Sequence, residues 1–142
     1  MKVVVVDSNI HNFFKCYDNE KRIFGEAGYD LFIEDVKSPE EYIKVAHDAD
    51  ALMVIGTKTG PDIIKHLEKC KVMTTYGVGY DAFDIDACTE AGIVACNQPN
   101  YGTNEVASHA FALAMDCIKK TTYYNNRIKK DNIWLAGEQP QG

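Results

Sequence analysis

The chain has 142 residues, a hydrophobic share of 46% and a formal net charge of -6; this is the size of one ordinary domain, apolar enough to build a core without metals or crosslinks. Its acids are scattered among lysines rather than gathered in blocks, which argues for solubility and against nucleic acid as a partner. Five cysteines, Cys16, Cys70, Cys88, Cys96 and Cys117, are odd in number and form no Cys-x-x-Cys pair, so they read as reduced core thiols of a cytoplasmic protein rather than as a zinc site.

The first element is the run Val3-Val4-Val5-Val6, a β-branched stretch suited to a central strand buried on both faces. Asp7 cuts it far short of a signal-peptide core, and no later stretch has membrane-spanning length. From Ile10 to Ala27 the residues Ile10, Phe13, Phe14, Tyr17, Ile23 and Phe24 recur at helical spacing, with Gly25 and Gly28 as the stop. A strand is then expected at 31–33, a helix at 39–47, a strand at 51–55, a helix at 61–69 and a strand at 72–76. Pro39 and Pro61 fall in the first helical turns, where a missing N–H costs least. A short helix at 85–91 and a strand at 93–96 complete the alternation. Such a pattern predicts an α/β, flavodoxin-like three-layer sandwich, with a five-stranded parallel sheet in the order 2-1-3-4-5. From Thr103 to Lys120 the apolar residues run nearly all round the helix, which predicts burial on several sides. The polar tail from Thr121 to Gly142, with Trp134, reads as a helix extension followed by a linker.

Gly77-Val78-Gly79-Tyr80-Asp81-Ala82 follows a strand and fits G-x-G-x-x-A, the form of a dinucleotide-binding turn. Against that use, Asp81, Asp84 and Asp86 crowd the turn, the next helix is short, and the next strand ends at Cys96-Asn97 without the acid that a ribose requires. A second use of the same residues is a carboxylate anchor. Gly77 and Gly79 let the backbone approach a ligand, and the N–H groups of Val78 and Gly79 can converge on a small anion. A third reading is a tight turn that merely connects strand and helix, since glycine is the default turn residue.

The stretch from Tyr76 to Asp84, then Ala87, Thr89-Glu90-Ala91-Gly92-Ile93, Asn97-Gln98-Pro99 and the segment from Tyr101 to Ala110 resembles the D-isomer-specific 2-hydroxyacid dehydrogenase family. The similarity runs in order from about Val72 to Trp134. It implies a flavodoxin-like substrate-binding domain at 1–100, with 101–142 as a long linking helix and the start of a connection to an NAD-binding domain. In such enzymes NAD lies between the two domains, and hydride passes between it and a small 2-hydroxy or 2-oxo acid. By this resemblance Val78 and Gly79 hold the substrate carboxylate through their amides, Tyr76 and Gly77 shape the loop, and Tyr101 lines the substrate side. Val78 and Val106 would contact the cofactor. Thr75 stands where many members have arginine, and Ala82 where most have asparagine. The family's nucleotide fingerprint, orienting arginine, helper glutamate and acid–base histidine match no residue of this chain, which is therefore expected to be inactive alone, with no catalytic residue of its own.

His109 corresponds to a helix position in the family and reads as a hydrogen-bonded histidine at a packed interface. His11, His47 and His66 show no ligand spacing, so no metal is expected. Asp7 stands where a phospho-receiver keeps an acid, but Ile55-Gly56-Thr57 supplies no partner aspartate after the third strand. Leaving the 103–120 helix uncovered would cost about 25 cal/mol per Å² of apolar surface, which predicts a homodimer through it. The alternative function is a non-catalytic module that senses a carboxylate or docks on another protein through the same helix.

Overall fold

The four valines fill β1 (Lys2–Asp7), and all four are almost fully buried. Burial on both faces requires neighbours on both edges, and β1 has them: it pairs in parallel with β2 (Asp30–Asp35) and with β3 (Ala51–Ile55). Beyond β3 come β4 (Val72–Thr75) and β5 (Val94–Cys96), also parallel. The sheet order is β2-β1-β3-β4-β5, as the alternation predicts. A computed structural model of the chain describes residues 1–8, 16–132, 134 and 137. The chain divides into two units, residues 1–101 and 102–142.

Alternation of side chains across the pleat separates two cores. Val4, Val6, Leu52, Val54 and Met73 join Tyr42 and Ala46 of α2 (Pro39–Ala46), Ile63 and Ile64 of α3 (Pro61–Ile64) and Cys88 of α4 (Ile85–Glu90) in the larger one. On the opposite face Val5 and Ile55 pack with Tyr17, at the start of α1 (Asp18–Glu26), and with half-buried Leu31, Ile33, Met53 and Tyr76.

Several boundaries differ from the expected ones. Of the helix expected at 10–27, residues 10–15 lie outside the described residues; Cys16 and Tyr17 precede the helix, which starts at Asp18. The helix expected at 61–69 stops at Ile64. There His66 and Leu67 donate to carbonyls three residues back, the tighter turn typical of a helix end. Glu68 N–H is drawn off to the carbonyl of His47 at 2.9 Å, so the helical ladder cannot continue.

In the second unit the long helix is α5 (Thr103–Lys119), followed by α6 (Thr121–Asp131). Lys120 between them has φ 53°, a left-handed conformation that costs a non-glycine residue about 1 kcal/mol. Asp116 Oδ1 accepts from Thr122 N–H at 2.8 Å and caps the new helix. Within this chain none of the α5 residues is buried, and Val106, Phe111, Leu113 and Ile118 are exposed. The apolar composition calls for a cover that the described residues do not supply. His109, on the same helix, is exposed within this chain. The reading of all five cysteines as core thiols is also corrected. Cys70 and Cys88 are buried, whereas Cys16 before α1, Cys96 on the edge strand and Cys117 on α5 are exposed; all are free thiols.

Candidate functional site

Because all five strands are parallel, their carboxyl ends share one edge of the sheet, the edge at which open α/β sheets bind ligands. The last pairs there are Asp7 with Ile55, Val54 with Thr75, and Thr74 with Cys96. The glycine loop therefore leaves β4 beside the chain that leaves β5. Two hydrogen bonds tie them: Gln98 N–H donates to the Gly77 carbonyl at 2.9 Å, and Asn97 Nδ2 donates to the Val78 carbonyl at 2.7 Å. Gly77 N–H makes a long bond, 3.4 Å, to Thr75 Oγ1. Among the described residues the N–H groups of Val78 and Gly79 donate to no protein group. Exposed donors of that kind bind water or a ligand.

Neither Gly77 nor Gly79 has a positive φ, so backbone conformation does not demand glycine at either position. What glycine supplies is room. A Cβ on Gly77 would lie 4.0 Å from the nitrogen of Gly79 and cover one side of that amide. A Cβ on Gly79 would lie 3.5 Å from Asp81 Oδ2, so one carboxylate already stands near the loop.

The far side of the loop is anchored to the core. Thr59 N–H donates to the Ala82 carbonyl at 2.7 Å, and Asp84 N–H donates to the Thr59 carbonyl at 3.2 Å. Thr59 is fully buried, and its hydroxyl shares a 2.9 Å hydrogen bond with that of Tyr42. Asp84 then caps α4 by accepting from Ala87 N–H at 2.9 Å. That carboxylate occupies the helix start where a pyrophosphate would have to sit, and α4 has only six residues. The dinucleotide reading of the glycine loop loses its anion site for both reasons.

Tyr76 turns its hydroxyl to α1, where it donates to Glu20 Oε1 at 3.2 Å. Burial, and then the neighbouring Glu20 charge, hold this phenol well above the usual tyrosine range. Tyr17 donates to Asp7 Oδ2 at 2.7 Å and is raised in the same direction, by burial first and by Asp7 second. Asp7 is thus committed to the fold at the end of β1.

The same edge holds a cavity of about 510 Å³ lined by Ser8, Ser38, Tyr42, Thr57, Lys58 and Asp62, among others. The start of α2 beside it is already satisfied: Ser38 Oγ accepts from Glu41 N–H, and Glu41 Oε2 accepts from Lys37 N–H. This reciprocal cap leaves fewer free donors for an anion there than the glycine loop offers.

Of the residues singled out in the sequence, Tyr76, Gly77, Val78 and Gly79 are thus consecutive in one loop. Tyr101, exposed, closes the first unit, and Val106 is exposed on α5 in the second. Among the described residues no three His, Cys, Asp or Glu side chains gather as a metal site. No described helix is long and apolar enough to cross a membrane. Sequence reasoning missed the ties from Asn97, Gln98 and Thr59. The available signal was an Asn-Gln pair directly after a short strand.

A sheet of this order with a glycine loop at its carboxyl edge defines a flavodoxin-like α/β protein. Its family is identified by comparison. The sequence model described as "D-isomer specific 2-hydroxyacid dehydrogenase, catalytic domain" matches residues 4–132, and the chain belongs to that family. It is 40% identical over 131 residues to D-3-phosphoglycerate dehydrogenase of Methanocaldococcus jannaschii, covering 92% of this chain and 24% of the relative. It is 31% identical over 100 residues to glyoxylate reductase of Pyrococcus furiosus, covering 70% and 28%. The crystal structure of NAD+-bound 3-phosphoglycerate dehydrogenase from Entamoeba histolytica superposes with a TM-score of 0.67 at 30% identity, over 82% of this chain and 38% of that one. The chain thus spans about a quarter of the length of these curated relatives.

Proposed function

We propose that this chain supplies the substrate-binding part of an NAD-dependent D-2-hydroxyacid dehydrogenase, and that it takes its substrate by the carboxylate. The observation that carries the reading is the pair of adjacent N–H groups, Val78 and Gly79, with no protein acceptor among the described residues. They lie in a loop at the carboxyl edge of a parallel sheet. Two charge-assisted hydrogen bonds from such donors contribute about 1.5–3 kcal/mol each. Tyr76 and Gly77 shape the loop, the first through its bond to Glu20, and exposed Tyr101 lines the substrate side.

Val78 and Val106 each present an exposed apolar side chain, a kind of group suited to the face of a nicotinamide ring, and by the family resemblance each would contact NAD. The cofactor, when bound, accepts or donates the hydride at the substrate's C2. This chain's own part is to fix the acid by its carboxylate and to exclude alternative orientations. The orienting arginine, helper glutamate and acid–base histidine of the reaction are assigned to none of its residues, so the 142 residues alone are expected not to turn over. The exposed apolar side chains Phe111, Leu113 and Ile118 of α5 support a homodimer through that helix. Free thiols at exposed positions support a reducing compartment, the cytoplasm.

Calorimetric titration tests the carboxylate reading. Pyruvate should bind and pyruvamide, which lacks the charge, should not. Equal binding of the two, or turnover of any 2-hydroxy acid by this chain with NAD alone, would refute the assignment.

A further inference from the structure

We propose that Asn97 is a positioning residue that aims the Gly79 N–H at the substrate; the inference rests on the carboxylate reading above and extends it to a residue outside the loop. A trans peptide unit is planar, with the carbonyl of one residue antiparallel to the N–H of the next, and no described peptide is cis. Holding one end of the unit therefore fixes the direction of the other. Gln98 N–H holds the Gly77 carbonyl at 2.9 Å, which turns the Val78 N–H away from the β5 side. Asn97 Nδ2 holds the Val78 carbonyl at 2.7 Å, which turns the Gly79 N–H away from it in the same manner. Two consecutive residues after β5 thus grip two consecutive carbonyls, and the two N–H groups left over are the pair without protein acceptors among the described residues.

A regular sheet ladder cannot produce this arrangement, because successive carbonyls of a strand point to opposite sides. Only one of two neighbouring carbonyls can meet the main chain of β5, and the other needs a donor from a side chain. Asparagine supplies that donor without charge. Aspartate at the same place would set an acceptor against the Val78 carbonyl and a negative charge beside an anion site. The peptide between Val78 and Gly79 also has little intrinsic resistance to turning over, since Gly79 has no Cβ and a Cβ there would meet only Asp81 Oδ2, at 3.5 Å. Without Asn97 the Gly79 N–H loses its fixed direction, while the Val78 N–H keeps its own through Gln98. A residue placed so could not be assigned from the loop alone.

The test uses the ¹⁵N-labelled chain as wild type, Asn97→Ala and Asn97→Asp, with Asn97→Ser as a shorter donor. Residual dipolar couplings of the Val78 and Gly79 N–H bonds are measured without ligand, and pyruvate is then titrated. In Asn97→Ala and Asn97→Asp the Gly79 coupling should shrink toward an averaged value while the Val78 coupling stays. Pyruvate should bind about tenfold more weakly, as for loss of one hydrogen bond to a charged group. Asn97→Ser should lie between, and the melting temperature should change by less than about 2 °C because the Asn97 bond to Val78 lies at an exposed place. An unchanged Gly79 coupling in Asn97→Ala overturns the positioning role. An altered Gly79 coupling, with no pyruvate binding in the wild type, supports the positioning role and overturns the carboxylate reading instead.

Discussion

Replacing Tyr42 by phenylalanine removes a single oxygen atom from a polar contact buried in the larger core. Tyr42 is 1% exposed and Thr59 0%, and their hydroxyls meet at 2.9 Å inside the larger core. Burial holds the Tyr42 phenol above its ordinary range despite the opposing pull of Thr59, so the pair is neutral at any working pH. The phenylalanine leaves the Thr59 hydroxyl without this partner and away from water, which costs about 1–3 kcal/mol. At about 4 °C per kcal/mol for a domain of this size, the melting temperature should fall by about 4–12 °C. Thr59→Val should cost a similar amount, leaving the phenol stranded instead. The double variant replaces both partners by apolar groups of the same shape and should fall no further than either single one. Urea denaturation of the four proteins gives the coupling directly. Because Thr59 also holds Ala82 and Asp84 through its main chain, amide exchange at residues 82–84 should quicken in both single variants. Strictly additive losses, or a Tyr42→Phe chain as stable as wild type, would refute the reasoning.

Asp81→Asn should tighten pyruvate binding about threefold at low salt, since unit charges about 6 Å apart in water repel by about 0.7 kcal/mol. The gain should vanish at high salt; no gain at any ionic strength would place the anion away from Gly79. A thiol reagent at neutral pH should label three of the five cysteines in the native chain, Cys16, Cys96 and Cys117, and all five in denaturant. Labelling of Cys70 at the exposed rate would contradict its burial, which pushes its thiol up to about 11 from 9.0. Stability should decline as the pH rises from about 9. The folded state holds the protons of Cys70, Tyr17, Tyr42 and Tyr76 more tightly than the unfolded chain, chiefly through burial, so the contribution present below the unfolded values is lost above them. Absorbance at 295 nm should then show Tyr17, Tyr42 and Tyr76, of eight tyrosines, ionising only as the chain unfolds; early ionisation of all eight would count against it.

The sheet was legible because its signals are local. Four valines in a row need cover on both faces, and Ser38-Pro39 and Gly60-Pro61 mark helix starts by chemistry that does not depend on the rest of the chain. The end of α3 was not legible, because the Glu68 N–H is taken by His47, a contact across the fold. Nothing in the run from Lys119 to Thr122 announces the left-handed Lys120, since neither glycine nor proline stands there. The glycine loop itself could be read, with its three competing uses. The contacts that bear on them are long-range: Asn97 reaches Val78 across 19 residues, and Tyr42 reaches Thr59 across 17. The exposure of α5 shows the converse limit, since an apolar helix announces a need for cover without naming what provides it.

Amide spectra of the ¹⁵N-labelled chain during addition of pyruvate test the central claim most directly. Saturable movement should be largest at Val78 and Gly79, with smaller changes at Asn97 and Gln98. Signals at 78 and 79 that stay fixed in tens of millimolar pyruvate, or movement confined to the cavity beside Ser38 and Lys58, would contradict it.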